Sequence, residues 1–175
     1  MMIADMNDQV TAPQWRQATA DDLGAIDVIG NGIHLSLPER PEIFAEKLNL
    51  FSAGCRVLIH SGKIVGYGMS HPWHLNNIPP LDTFLKVLPP QPDCIFIHDV
   101  VVVPRARGHS AAEKFVEIVA DVARERLIPA LALVSVYDTH PLWMKCGFEI
   151  VQRADLAEKL QSYGATARYM VRNLR

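Results

Sequence analysis

Residues 100–119 read VVVVPRARGHSAAEKFVEIV. An apolar run with the form of a strand passes into one with the period of a helix, and two arginines, a glycine and a serine fill the joint. The first amides of a helix have no intrahelical partners, and the macrodipole adds about half a positive charge there. A phosphate is the natural ligand of such a terminus. Gly108 would let it approach the backbone, while Arg105, Arg107 and Lys114 add countercharge; an arginine fork can grip two phosphate oxygens. A second reading competes with this one. Ser110-Ala111-Ala112-Glu113 has the form of a capping box, which would close the terminus from within, and Glu113 would repel a phosphate. These residues alone leave both readings standing.

The elements that must hold this joint are legible around it. Cys94–Val103 is a long, mostly apolar strand of the kind buried on both faces of a sheet. Residues 111–126 carry Ala112, Phe115, Val119, Val122 and Arg126 at helical steps, Pro129 ends the helix, and ALALVSV (130–136) is a second buried strand. Strand, helix and strand with short joints make a βαβ unit, so the two strands are expected to run parallel with a right-handed crossover. Upstream, a short strand at 16–18 precedes a capping box, Thr19 to Asp22. The helix that follows carries Leu23, Ile26 and Ile29 and is expected to stop at Gly30-Asn31-Gly32. A second helix should start at Pro41. Residues 56–60 and 63–70 flank Ser61-Gly62 as a hairpin, with Gly66 and Gly68 marking a bulge or a close backbone approach. Half of the twelve prolines fall between residues 72 and 92; only Pro80–Leu88 could hold a short helix in that excursion. A short helix near 141–145, a strand from Phe148 and a last strand at 169–173 complete one α/β domain over residues 15–175. Residues 1–14 read as a flexible tail.

The segment Arg105-Ala106-Arg107-Gly108-His109-Ser110 resembles the R/Q-x-x-G-x-G/A signature of the GNAT acyltransferase superfamily, and it follows a strand ending Val102-Val103-Pro104, as in that family. Downstream, VSVYDTHPLWMKCGFEIV (134–151) is similar to the family's segment after its fifth strand, an aromatic followed by Gly-Phe: here Trp143, Lys145, Gly147 and Phe148. RQATADDLGAI (16–26) has the form of the family's first strand and helix. The resemblance spans about residues 15–173. It implies a central, mostly antiparallel sheet whose one parallel pair splays around acetyl-CoA, the cosubstrate, with no metal. Pantetheine would pair with the backbone of Val101, Val102 and Val103, and the diphosphate would rest on Ala106, Arg107, Gly108, His109, Ser110 and Ala111, with Trp143 beside the cofactor. The implied activity is N-acetyl transfer to a primary amine, small or peptidic, with a CoA-binding module lacking catalysis as the alternative.

Two departures bear on the chemistry. The signature's last glycine is Ser110. Where family members often have a tyrosine that protonates the departing thiolate, this chain has Trp143, whose indole N–H is no useful acid. Tyr137, at the end of strand 130–136, is the nearest substitute, unless it is an aromatic packing on the core. The candidate bases are Asp99 and His98. As neighbours on a regular strand they face opposite sides, so only one could reach an acceptor unless a bulge intervenes. Asp99 is preferred, because the family often has an acidic residue near that point and a carboxylate in an apolar strand needs a reason.

Composition limits the rest. A formal net charge of -2 offers no general attraction to nucleic acid or anionic membrane, and no apolar run is long enough for a membrane span. His71 and His74 lack further ligands at metal spacing. Cys55, Cys94 and Cys146 form no C-x-x-C pair, which points to a reduced, cytoplasmic setting, and Cys146 reads as a small buried hydrophobe. Whether the chain pairs as a homodimer is left open.

Overall fold

A computed structural model describes residues 11–175; the first ten residues of the expected tail lie outside that range. Seven strands form one sheet in the order β1-β2-β3-β4-β5-β7-β6. They are β1 (Gln14–Gln17), β2 (Cys55–His60), β3 (Lys63–Trp73), β4 (Cys94–Val102), β5 (Ala130–Ser135), β6 (Glu149–Ile150) and β7 (Arg168–Asn173). Only β4 and β5 pair in parallel; every other neighbouring pair is antiparallel. The helices are α1 (Leu23–Ile33), α2 (Pro41–Leu50), α3 (Ala111–Glu125), α4 (His140–Lys145) and α5 (Ala157–Tyr163). None of them is long and apolar enough to cross a membrane.

The alternation of a strand sorts the core into two faces. Ile95, Ile97, Leu131 and Leu133 pack with Phe115, Val116 and Val119 of α3. Cys94, Phe96, Ala130 and Ala132 pack with Leu156 and Tyr163 at α5. On that second face, Val57, Tyr67 and Met69 meet Ile26 of α1 and Phe44 of α2. The hairpin glycines mark close approaches. A Cβ on Gly68 would lie 2.3 Å from the Phe115 ring, and one on Gly66 would lie 2.5 Å from the Val101 carbonyl oxygen.

Two expectations are corrected, and one element is added. Helix α1 does not stop at Gly30-Asn31-Gly32 but runs to Ile33, with the His34 amide closing onto the Gly30 carbonyl. Gly30 is there for clearance, since a Cβ at that position would lie 2.8 Å from the Tyr67 hydroxyl. No helix forms over residues 80–88. The amides of Asp82, Leu85 and Lys86 are taken instead by the carboxylates of Glu39 and Glu46, and Asp82 and Lys86 sit at positive φ. Finally, α5 is an element that the sequence patterns do not announce.

Candidate active site

The parallel pairing of β4 and β5 ends at Ile97↔Leu133, although β4 continues to Val102. The cause lies on the other side of β4. Met69 pairs with Asp99 but its neighbour Ser70 pairs with Ile97, so His98 is an extra residue without a partner in β3. Such a bulge bends a strand and sharpens its twist, and beyond it β4 leaves β5. A cleft of about 630 Å³ opens where they part.

The bulge also overturns the expectation that His98 and Asp99 face apart. Both side chains turn to the α1–α2 face and both line the cleft. His98 Nε2 lies 2.6 Å from Glu39 Oε1. Asp99 accepts a 2.6 Å hydrogen bond from the Tyr67 hydroxyl, and its other oxygen lies 2.8 Å from His34 Nε2. The second nitrogen of His34, Nδ1, is 3.4 Å from the Tyr137 hydroxyl, and the two rings stack with centroids 5.9 Å apart. Tyr67, Asp99, His34 and Tyr137 thus form one hydrogen-bonded row, from a buried phenol to a half-exposed one at the cleft. Asp99 and Tyr137, the two catalytic candidates, are brought together by a residue the sequence reading missed.

His34 reaches Asp99 because α1 runs a turn further than its glycines suggest. Ile33, four residues after Ile29, continues the apolar stripe and was the available signal. Burial disfavours a charge on His34, but the Asp99 carboxylate and the more distant Glu39 outweigh it and raise its pKa above the ordinary value. Burial likewise works against the Glu39 carboxylate, yet His98, the Asp82 amide and Lys47 together lower its pKa to about 2. Burial and the Asp99 charge push the Tyr67 phenol well above its usual range.

At the other end of the cleft stands the strand-to-helix joint. Ser110 adopts a left-handed conformation, φ 53°, and makes no side-chain capping bond, so the capping-box reading fails. Among the described residues, no internal backbone partner takes the amides of Gly108, His109 or Ser110. Gly108 has φ +89°, and a Cβ placed there would meet no atom within 4 Å. The joint is therefore an open turn of unpaired N–H groups beside a helix terminus, the form of an anion site. Arg107 folds back, its Nε donating to the Val102 carbonyl at 3.0 Å.

Of the residues expected to hold a cofactor, Val101, Val102, Arg107, Gly108, Ser110, Ala111 and Trp143 line the cleft. Val103, Ala106 and His109 do not. The Val103 amide donates to Val65 in β3, Ala106 is fully buried, and the exposed His109 ring lies near His60. Trp143 donates its indole N–H to Thr139 Oγ1 at 3.2 Å and packs edge-on to Phe148. All three cysteines are buried; burial lifts the Cys146 thiol to about 11.

The model of the acetyltransferase (GNAT) family matches residues 28–148. The chain belongs to that family. Solved structures agree on the fold of this GNAT protein. It is similar to the GphF GNAT-like decarboxylase in complex with isobutyryl-CoA, at 16% identity over 93% of this chain and 100% of that one, with a TM-score of 0.75. The NatC complex bound to Gag peptide and CoA gives 17% identity over 94% of this chain and 100% of the other, TM-score 0.71. Ard1 from Thermoplasma volcanium gives 15% over 93% and 98%, TM-score 0.69. No curated protein matches the sequence.

Proposed function

We propose that this GNAT protein transfers an acetyl group from acetyl-CoA directly to a primary amine. One observation carries the reading: a single cleft joins the unpaired amides of the 108–110 turn to the Tyr67–Asp99–His34–Tyr137 row. The turn suits a diphosphate, and the exposed edge of Val100–Val102 suits the amides of a pantetheine arm, in the manner of an added strand. Acetyl-CoA would supply an acyl thioester.

The residues divide the proton work. Asp99 has both oxygens engaged, so it acts through His34, holding the imidazole with Nε2 toward the carboxylate and Nδ1 toward the cleft. An alkylamine with a pKa near ~10 arrives as an ammonium and must first lose one proton to solvent. His34 takes the second as the C–N bond forms. Tyr137 gives a proton to sulfur as the C–S bond breaks, and it recovers one from His34 across their contact. Amide and free thiol result, and the enzyme is restored. Aligning the reactants accounts for a further ~7 kcal/mol or more of the barrier.

The relatives lend support: structures of similar fold hold CoA with a peptide, or isobutyryl-CoA. Three buried, unpaired thiols favour a cytoplasmic setting. The test is release of free thiol from acetyl-CoA across a panel of amines. Thiol release that requires both an amine and His34 supports transfer. CoA binding without turnover would leave a CoA-binding module, and stronger stabilisation by ATP or NAD than by CoA would refute the cofactor assignment.

A further inference from the structure

The acceptor end of the cleft has a cover of its own. Leu37 and Glu39 line it from the α1–α2 loop, Leu81 from the proline-rich loop and Tyr163 from the end of α5. These three segments are fastened together. Arg40 Nε grips both oxygens of Asp82, at 3.1 and 2.9 Å, and a second guanidinium nitrogen donates to the Asp82 carbonyl. Glu39 accepts the Asp82 amide at 2.9 Å, Glu46 accepts two amides of the same loop, and the Tyr163 hydroxyl donates to the Pro79 carbonyl. An acceptor must fit beneath this clasp.

The chemistry beneath it is one-sided. Apart from the hydrogen-bonding rows, the walls are aliphatic: Leu37, Leu81, Val134 and Val136. At this end the ionisable groups are Glu39 and Asp99 with the imidazoles they hold, His98 and His34, besides the phenols of Tyr137 and Tyr163; Glu113 lines the far end, in the first turn of α3. Both imidazoles already face a carboxylate, so neither offers a spare positive charge. Among the lining residues the one basic side chain other than histidine is Arg107, which belongs to the phosphate turn at the far end.

We infer that the acceptor is a compact primary amine with an apolar body and no carboxylate. This rests on the acyl-transfer reading above. An incoming ammonium finds two carboxylates near its path. A substrate carboxylate would be buried opposite Glu39 without a cation, which is strongly unfavourable. The second ammonium of a polyamine would find Glu39 engaged by His98 and the Asp82 amide, and Asp99 by His34 and Tyr67. It would be left among leucines and valines, and the amides of a peptide would find few partners on aliphatic walls and a clasp across their exit.

Two amines differing only by a carboxylate make the test: 2-phenylethylamine and phenylalanine. Thiol release from acetyl-CoA is measured with each, and with spermidine and a tripeptide bearing a free N-terminus. The expected kcat/KM for phenylethylamine is about 100-fold above that for phenylalanine, the scale of leaving one buried charge unpaired, and it should exceed the other two as well. A preference for phenylalanine, spermidine or the tripeptide overturns the inference and leaves transfer intact. If none of the four releases thiol while CoA still raises the melting temperature, acyl transfer itself falls, and this inference with it. The variant Leu81→Arg places a cation under the clasp. It should shift the ratio toward phenylalanine by about 10-fold, and an unchanged ratio would count against this placement of the acceptor.

Discussion

Replacing Gly108 by glutamate separates the anion site from an ordinary helix start. Gly108 has φ +89°, so any side chain there brings backbone strain of about 1 kcal/mol. The site is open, with no atom within 4 Å of a Cβ, so no steric clash adds to this. The apo protein should therefore fold, with a melting temperature lower by about 2–4 °C. Cofactor binding should suffer far more. A carboxylate about 5 Å from a phosphate charge, at an effective dielectric near ~20, is repelled by about 3 kcal/mol. That corresponds to at least ~100-fold in Kd. At CoA equal to about 100 times the wild-type Kd, ligand stabilises wild type by about 2.7 kcal/mol and the variant by about 0.4 kcal/mol. In a thermal-shift experiment the wild-type gain of about 5–10 °C should shrink to under ~2 °C. Gly108→Ala is the control, since it carries the strain without the charge and should retain most of the CoA shift. A Gly108→Glu variant whose CoA shift equals that of wild type would refute the phosphate assignment.

Further expectations concern the proton row and the packing. In the proposed mechanism neutral His34 takes the proton, so kcat/KM should climb with pH through a value above the ordinary 6.5. Asp99→Asn removes the charge that raises this pKa and should move the climb to lower pH; an unmoved profile means His34 is not the titrating group. The His34–Asp99 pair also contributes stability that is complete below pH 6.5 and lost as pH rises through the raised value. The melting-temperature gap between wild type and Asp99→Asn should accordingly narrow toward alkaline pH. Trp143→Tyr tests whether the acid limits turnover: kcat should rise if it does, and an unchanged kcat assigns the acid to Tyr137 or solvent. Gly68→Ala places a methyl 2.3 Å from the Phe115 ring. Overpacking of this kind costs about 1–3 kcal/mol, and chemical denaturation should show it.

What the sequence disclosed, and what it withheld, divides along the range of the interactions. The βαβ unit was readable because an apolar run and a helical stripe are local patterns, and Cys94–Val102, Ala111–Glu125 and Ala130–Ser135 fall where they indicate. The 108–110 turn was readable as composition but not as function. Socket or cap depends on the φ of Ser110, and a serine tolerates either conformation. His34 was invisible for a different reason. Its partner lies 65 residues away, and the helix that carries it passes through two glycines that usually stop one. Residues 80–88 misled in the opposite sense. Their helical spacing is genuine, but carboxylates from another segment captured the amides a helix would have used. Local propensity loses to such long-range bonds when they are several and mutually supporting.

The unpaired His98 makes β4 a strand of two parities. Before it, odd-numbered residues such as Ile95 and Ile97 look toward α3; after it, Asp99 and Val101 look toward α1. Removing His98 would restore a regular ladder with β3 and leave Ile97 toward α3 and Asp99 toward α1, at the cost of the bend that parts β4 from β5. A strand shorter by that one residue would keep its core contacts and lose the cleft, whereas a deletion elsewhere along it would turn one half inside out. The opening between the two parallel strands is thus written into β4 as one surplus residue.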